Sequence, residues 1–144
     1  MTNHRSVAYS LMRATFGIVF LFFGITKFTR GLSTFAGGMQ ERFAGKLPML
    51  IVMSFGYSLP FIEVLVGTLI LLGLFNPISL LVSGLLLITL TFGMVILGDT
   101  PTVANNLIYV LINFALLYLA EYNFYSVDRL RGAPLASGHS AHGE

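Results

Sequence analysis

The chain contains no cysteine, which excludes disulfides, thiolate chemistry and cysteine-ligated clusters while giving no sign of the redox compartment. Histidine is nearly as scarce. His4, His139 and His142 all lie close to the termini, so two imidazoles from this chain cannot meet on facing helices inside a membrane. A b-type haem held by two of its own histidines is therefore excluded, and any redox cofactor at depth is expected to be organic or held by a partner. Charge is the third scarcity: charged residues make up 10% of the sequence, against roughly a quarter in an ordinary soluble domain. The eight basic residues are scattered among loops and helix ends. They form no stripe that could track phosphates, so nucleic acid is not an expected partner.

Hydrocarbon takes the place of charge. The sequence is 56% hydrophobic and its mean hydropathy is +0.84, which marks an integral membrane protein. At roughly 20 apolar residues per span, 144 residues allow one domain of about four helices. Apolar segments run over residues 6–29, 48–74, 78–98 and 103–122, and the fold class they predict is all-α, an antiparallel four-helix membrane bundle. The first segment, with "FGIVFLFFGI", is followed by "TKFTRG" and no small-residue cleavage site, so it reads as a retained helix and not a signal peptide. In the second, Pro48 suits a first helical turn and Pro60 is expected to kink the helix one turn before Glu63. "LFNP" and "LGDTP" are short turns that make the second to fourth spans antiparallel neighbours, with Asp99 or Thr102 capping the fourth.

Between the first two spans, Leu32, Phe35, Met39 and Phe43 recur at steps of three and four. Residues 30–47 therefore read as an interfacial amphipathic helix, softened at Gly37 and Gly38; the alternative is a plain connecting loop. The spans and this segment make one domain over residues 1–131. The Gly-, Ala- and Ser-rich stretch 132–144 is expected to be a flexible tail, whose His139 and His142 do not complete a metal coordination sphere. With four spans, both termini share a side carrying Arg5, Arg129 and Arg131, while Lys27, Arg30, Arg42 and Lys46 mark the other. The lean is towards a bacterial or archaeal cytoplasmic membrane with cytoplasmic termini.

The polar residues inside the spans are the candidates for function. A charged side chain near a bilayer centre costs about 2.5–3.5 kcal/mol on insertion scales, so Glu63 must be paired, neutralised or functional. Arg13, Gly17, Phe20, Gly24 and Lys27 share one face of the first span, and Gly56, Pro60, Glu63 and Gly67 share one face of the second. Their small residues suit close helix packing. With the two spans aligned at their midpoints, Arg13 lies roughly 7 Å and Glu63 roughly 3 Å from the midplane on the same side, while Lys27 lies roughly 14 Å out on the other. The expected contact is an Arg13–Glu63 ion pair, with Lys27 snorkelling to head groups. Asn106, Tyr109 and Asn113 form a polar stripe on the fourth span that should face the bundle and extend this network; for Asn106 and Tyr109 the alternative is simply a place near the membrane interface, while Asn113 lies deeper.

These residues resemble the DoxX family of small four-helix membrane proteins. The likeness is carried by "LMRATFGIVFLFFGITKF", by "LP" and then "PFIEVLVGTLILLGL" in the second span, and by "YSVD" after the fourth. The chain departs from that pattern at Phe75 and Asn76, and at Glu121, Tyr122 and Asn123, where Glu121 is a local candidate partner for Arg129 or Arg131. The resemblance implies a small subunit of a membrane-bound, quinone-linked redox complex, surrounded by structural lipid and by other membrane subunits. Arg13, Glu63, Tyr109 and Asn113 would then offer hydrogen bonds to a quinone. Against this stands a purely structural protein latched by Arg13 and Glu63. Proton or solute transport lacks a second relay group and an inverted repeat. With no activated nucleophile and one deep acid, no independent catalysis is assigned.

Overall fold

The computed structural model describes residues 4–132. The tail expected over 132–144, with His139 and His142, lies outside the described residues except for Gly132. Among the described residues the elements are helical throughout: α1 (His4–Thr29), α2 (Leu32–Phe43), α3 (Met49–Leu72), α4 (Asn76–Leu97), α5 (Thr100–Tyr118), a 3-10 turn (Ala120–Tyr122) and α6 (Val127–Leu130). Helices α1, α3, α4 and α5 are long and apolar enough to cross a membrane. They pack in the cyclic order α1, α3, α4, α5, each antiparallel to its neighbours, as the short turns require. Tyr9, Phe16, Phe20, Leu59, Val66, Ile70, Leu80 and Leu116 are among the side chains that fill the centre.

The helix ends follow from local chemistry. Asp99 caps α5 by accepting from the Thr102 N–H at 3.2 Å, and Pro101 stands in the first turn, where a missing N–H costs nothing. Helix α3 ends at Gly73, whose φ of +68° is open to glycine without strain. It runs through Pro60 without interruption.

The tightest packing is between α1 and α3, and it is made by glycine. A Cβ on Gly17 would stand 2.6 Å from the Leu71 nitrogen and one on Gly24 2.8 Å from the Val64 nitrogen, while one on Gly67 would fall on the Leu21 backbone. These three residues act as the sequence pattern suggests. Gly56 does not: it turns away from α1 and meets Ala36 of α2, at 3.3 Å from a Cβ to the Ala36 Cα. Helix α2 is accordingly packed on α3, with Ala36 and Phe43 buried. Gly37 and Gly38 do not break it, because they face open space and the helix is held by its other side.

Candidate functional site

The ion pair inside the bundle is Lys27–Glu63, not Arg13–Glu63. Lys27 Nζ lies 2.6 Å from Glu63 Oε2, and the glutamate is 2% exposed. Two physical causes correct the expected contact. Gly17 lies against Gly67 and Leu71, and Gly24 against Pro60 and Val64, which slides the helices about seven residues, or roughly 10 Å, from midpoint alignment. Helical side chains also lean towards their own N-terminus. In antiparallel α1 and α3, Lys27 therefore leans inward from the loop end while Glu63 leans out to meet it. Arg13, leaning towards the same α1 N-terminus from a position nearer the terminal end, is carried away from Glu63.

The Lys27 ammonium is further held by the Phe23 carbonyl at 3.3 Å. It lies 5.8 Å from the Phe23 ring centroid and 5.4 Å from that of Phe35 on α2, within reach of a cation–π attraction. Lys27 and Glu63 are two walls of a cavity of about 260 Å³ at the loop end of the bundle, roofed by α2 and completed by Leu90, Met94, Thr102 and Asn106. Arg42 also lines it and binds Asp99 Oδ2 at 3.2 Å, tying α2 to the α4–α5 turn. Hydrogen bonds from Thr102, side chain first and backbone N–H next, hold the Asp99 carboxyl below the usual carboxylate range, and Arg42 pulls the same way. Asp99 therefore stays ionised at neutral pH.

The remaining candidates are dispersed. Tyr109 meets Phe23 edge-on, with ring centroids 6.1 Å apart, so it flanks the site through an aromatic contact. Asn113 accepts from Ser83 Oγ at 2.6 Å and donates to the Leu80 carbonyl at 3.2 Å. That satisfies its amide between α4 and α5, away from Glu63. Asn106, on the same stripe, is the member that reaches the cavity.

Arg13, 4% exposed, belongs to a second polar cluster at the terminal end. Its guanidinium donates to Asn123 Oδ1 at 3.1 Å and to the Tyr125 carbonyl at 2.8 Å, and it occupies the space a Cβ on Gly73 would need. Asp128 of the same closing segment accepts from the Phe75 and Asn76 N–H groups at 2.9 and 3.0 Å. Asn76 in turn donates to the Tyr9 hydroxyl at 2.6 Å. Phe75 has φ +47°, a left-handed conformation uncommon for a bulky residue, and Asp128 holds it there while capping α4. Sequence reasoning missed this role, although "YSVD" marks the segment. Glu121 takes no ion pair among the described residues; Arg129 lies over Phe124 instead, 5.3 Å from its centroid.

Asp128→Ala removes both acceptors at the α4 N-terminus. The expected cost is about 1–2 kcal/mol, the upper range for loss of an N-cap. Faster amide exchange at Phe75 and Asn76 than elsewhere in α4 is the local readout, and Asp128→Asn, which keeps one acceptor, should fall between.

The fold and site define a four-span helical membrane protein with a part-buried ion pair lining a largely apolar cavity. The chain belongs to the family described as Methylamine utilisation protein MauE, whose family model matches residues 5–100. That stretch covers α1 to α4 with Lys27 and Glu63, and ends as α5 begins. No curated protein and no solved structure matches the chain. The family match overturns the DoxX resemblance. Spaced glycines, a helix proline and one deep acid are what close packing of short antiparallel spans calls for, so they do not separate one small membrane family from another.

Proposed function

We propose that the chain is an accessory membrane protein of a multi-component redox system of the kind its family is named for, methylamine utilisation, and that it acts through the Lys27–Glu63 cavity without being an enzyme in its own right. The observation that carries this reading is that Lys27 and Glu63 are ion-paired and also line a cavity. The cavity is half open, so a ligand or partner group can reach the pair, which a pair serving only to fasten α1 to α3 does not require. The protein sits in the cytoplasmic membrane with both termini inside. Lys27 is withdrawn into the bundle, which lowers the loop side's basic residues to Arg30, Arg42 and Lys46, level with Arg5, Arg129 and Arg131 on the terminal side.

The test separates a working site from a latch. In Lys27→Met/Glu63→Leu, an apolar pair of similar bulk replaces the charges, so abundance is expected to be kept. Methylamine-dependent turnover by membranes carrying this variant is expected to fall at least ten-fold, and mild-detergent pull-down of the wild-type chain should bring down other membrane components. Full turnover in the double variant would show the pair to be a latch only. A wild-type chain that purifies alone would sink the accessory role.

A further inference from the structure

We propose that the crevice between α1 and the end of α5 binds an anionic phospholipid, with the lipid phosphodiester on Arg5 and Tyr122 and the top of one acyl chain on Ala8, Met12 and Leu119. The crevice lies at the opposite end of the bundle from Lys27 and Glu63, and it binds lipid whether or not those two residues form a working site.

The crevice has a volume of about 370 Å³ and is lined by Arg5, Ala8, Tyr9 and Met12 of α1 and by Leu119 and Tyr122. That size falls within the roughly 300–1,000 Å³ of usual ligand sites. Its chemistry changes with depth. Helix α1 has 26 residues and is about 39 Å long at 1.5 Å per residue, against a hydrocarbon core of about 30 Å, so its first turn reaches the head-group layer. Arg5 stands in that turn, and Met12, about two turns on, lies roughly 10 Å deeper. Leu119 closes α5, which runs towards this end, and Tyr122 follows it outward in the 3-10 turn. The rim is therefore a cation and a phenol, and the wall below it is apolar. Tyr9 adds a ring face, since its hydroxyl is engaged by Asn76. Ala8 is exposed, which opens the crevice sideways to the bilayer.

Charge selects the ligand. Arg5 donates to the Tyr122 hydroxyl at 3.1 Å and lies 5.9 Å from that ring's centroid, which holds the two side chains together at the rim. The Tyr122 hydroxyl accepts this bond and keeps its own proton to donate, while the planar guanidinium fork can hold the phenol and grip a phosphate oxygen together. A second observation points to an anion. Arg13, next in sequence to Met12, is a buried cation whose hydrogen-bond partners are the neutral Asn123 and the Tyr125 carbonyl. No carboxylate forms an ion pair with it among the described residues, and Asp128 of the same cluster is turned to the α4 N-terminus. The field of Arg13 adds to that of Arg5, and at this burial salt screens it little. At the loop end, by contrast, Lys27 and Arg42 are each matched by a carboxylate. A zwitterionic lipid brings its own ammonium to its phosphate, whereas an anionic one leaves its charge for the two arginines, so phosphatidylglycerol binds in preference to phosphatidylcholine.

The full chain, delipidated in dodecylmaltoside, is offered equimolar dioleoylphosphatidylglycerol and dioleoylphosphatidylcholine, and the lipid it retains is counted by native mass spectrometry. One phosphatidylglycerol per chain is expected, preferred about ten-fold or more, the size of a charge-assisted contact. Arg5→Gln should remove the preference and Tyr122→Phe should weaken phosphatidylglycerol by a smaller factor. Arg131→Gln, which changes an exposed arginine at the same end, should leave both lipids unchanged. Ala8→Phe fills the crevice from its exposed wall and should lower retention of both, so the proposal stays testable if Arg5→Gln does not fold. Equal retention of the two lipids, or full retention in Ala8→Phe, would overturn the proposal. So would equal losses in Arg5→Gln and Arg131→Gln, which mark general surface charge, or displacement by equimolar glycerol-3-phosphate or oleate, which marks a site for a free phosphate or a fatty acid.

Discussion

Glu63→Gln is expected to lower the unfolding free energy by about 3–5 kcal/mol, the range for breaking a buried ion pair from one side. The glutamine leaves the Lys27 ammonium among Phe23, Phe35 and α3 without its counter-charge, and the lost contact is a 2.6 Å one. Lys27→Met should cost a similar amount, since it strands the carboxylate. The two losses do not add: Lys27→Met/Glu63→Leu removes both charges, and its stability should return to within about 1–2 kcal/mol of wild type. Arg13 supplies the control. Its partners are Asn123 and Tyr125, so Arg13→Leu and Glu63→Gln should be additive within about 0.5 kcal/mol. Reversible unfolding in mixed micelles measures all of these. Coupling of Glu63 to Arg13 but not to Lys27 would reject the observed pairing.

That control bears on what was legible in the sequence. The four spans could be read because hydropathy and length decide them almost alone, and the turns at "LFNP" and "LGDTP" fixed their order. Gly17, Gly24 and Gly67 could be read as contact residues because they repeat on one face. Register could not. Two alignments of α1 and α3 bring small residues together: Gly24 against Gly56, close to the midpoint alignment, or Gly24 against Pro60 with Gly17 against Gly67. The protein uses the second, because α2 takes Gly56 for Ala36. That choice depends on a segment whose own packing was not visible from its amphipathic pattern. The identity of Glu63's partner follows from it, together with the lean of helical side chains towards their N-termini. The Asp128 cap was out of reach for a related reason: it joins residues 52 and 53 positions apart, and nothing local to "YSVD" announces the α4 N-terminus as its target.

If register is set by glycine, Gly67→Ala is expected to be among the most damaging single-methyl additions in the chain. A Cβ there would fall on the Leu21 nitrogen, with the Leu21 Cα at 2.8 Å and the Gly17 carbonyl at 2.9 Å. All three are backbone atoms, so no rotamer change can make room and α1 must move away from α3. The cost should reach about 3 kcal/mol, the upper end for overpacking. Gly17→Ala meets the same contact from the other helix, at 2.6 Å from the Leu71 nitrogen, so the double variant should cost less than the sum once the helices have parted. Gly37→Ala and Gly38→Ala are the opposite case. Their Cβ atoms meet nothing within 4 Å, and each should stabilise α2 by about 0.5–1 kcal/mol through helix propensity. Parting α1 from α3 also lengthens the Lys27–Glu63 contact, so Gly67→Ala should weaken the coupling between those two residues although it touches neither. Unchanged coupling in the Gly67→Ala background would mean that the ion pair, and not the glycine contact, holds the two helices in register.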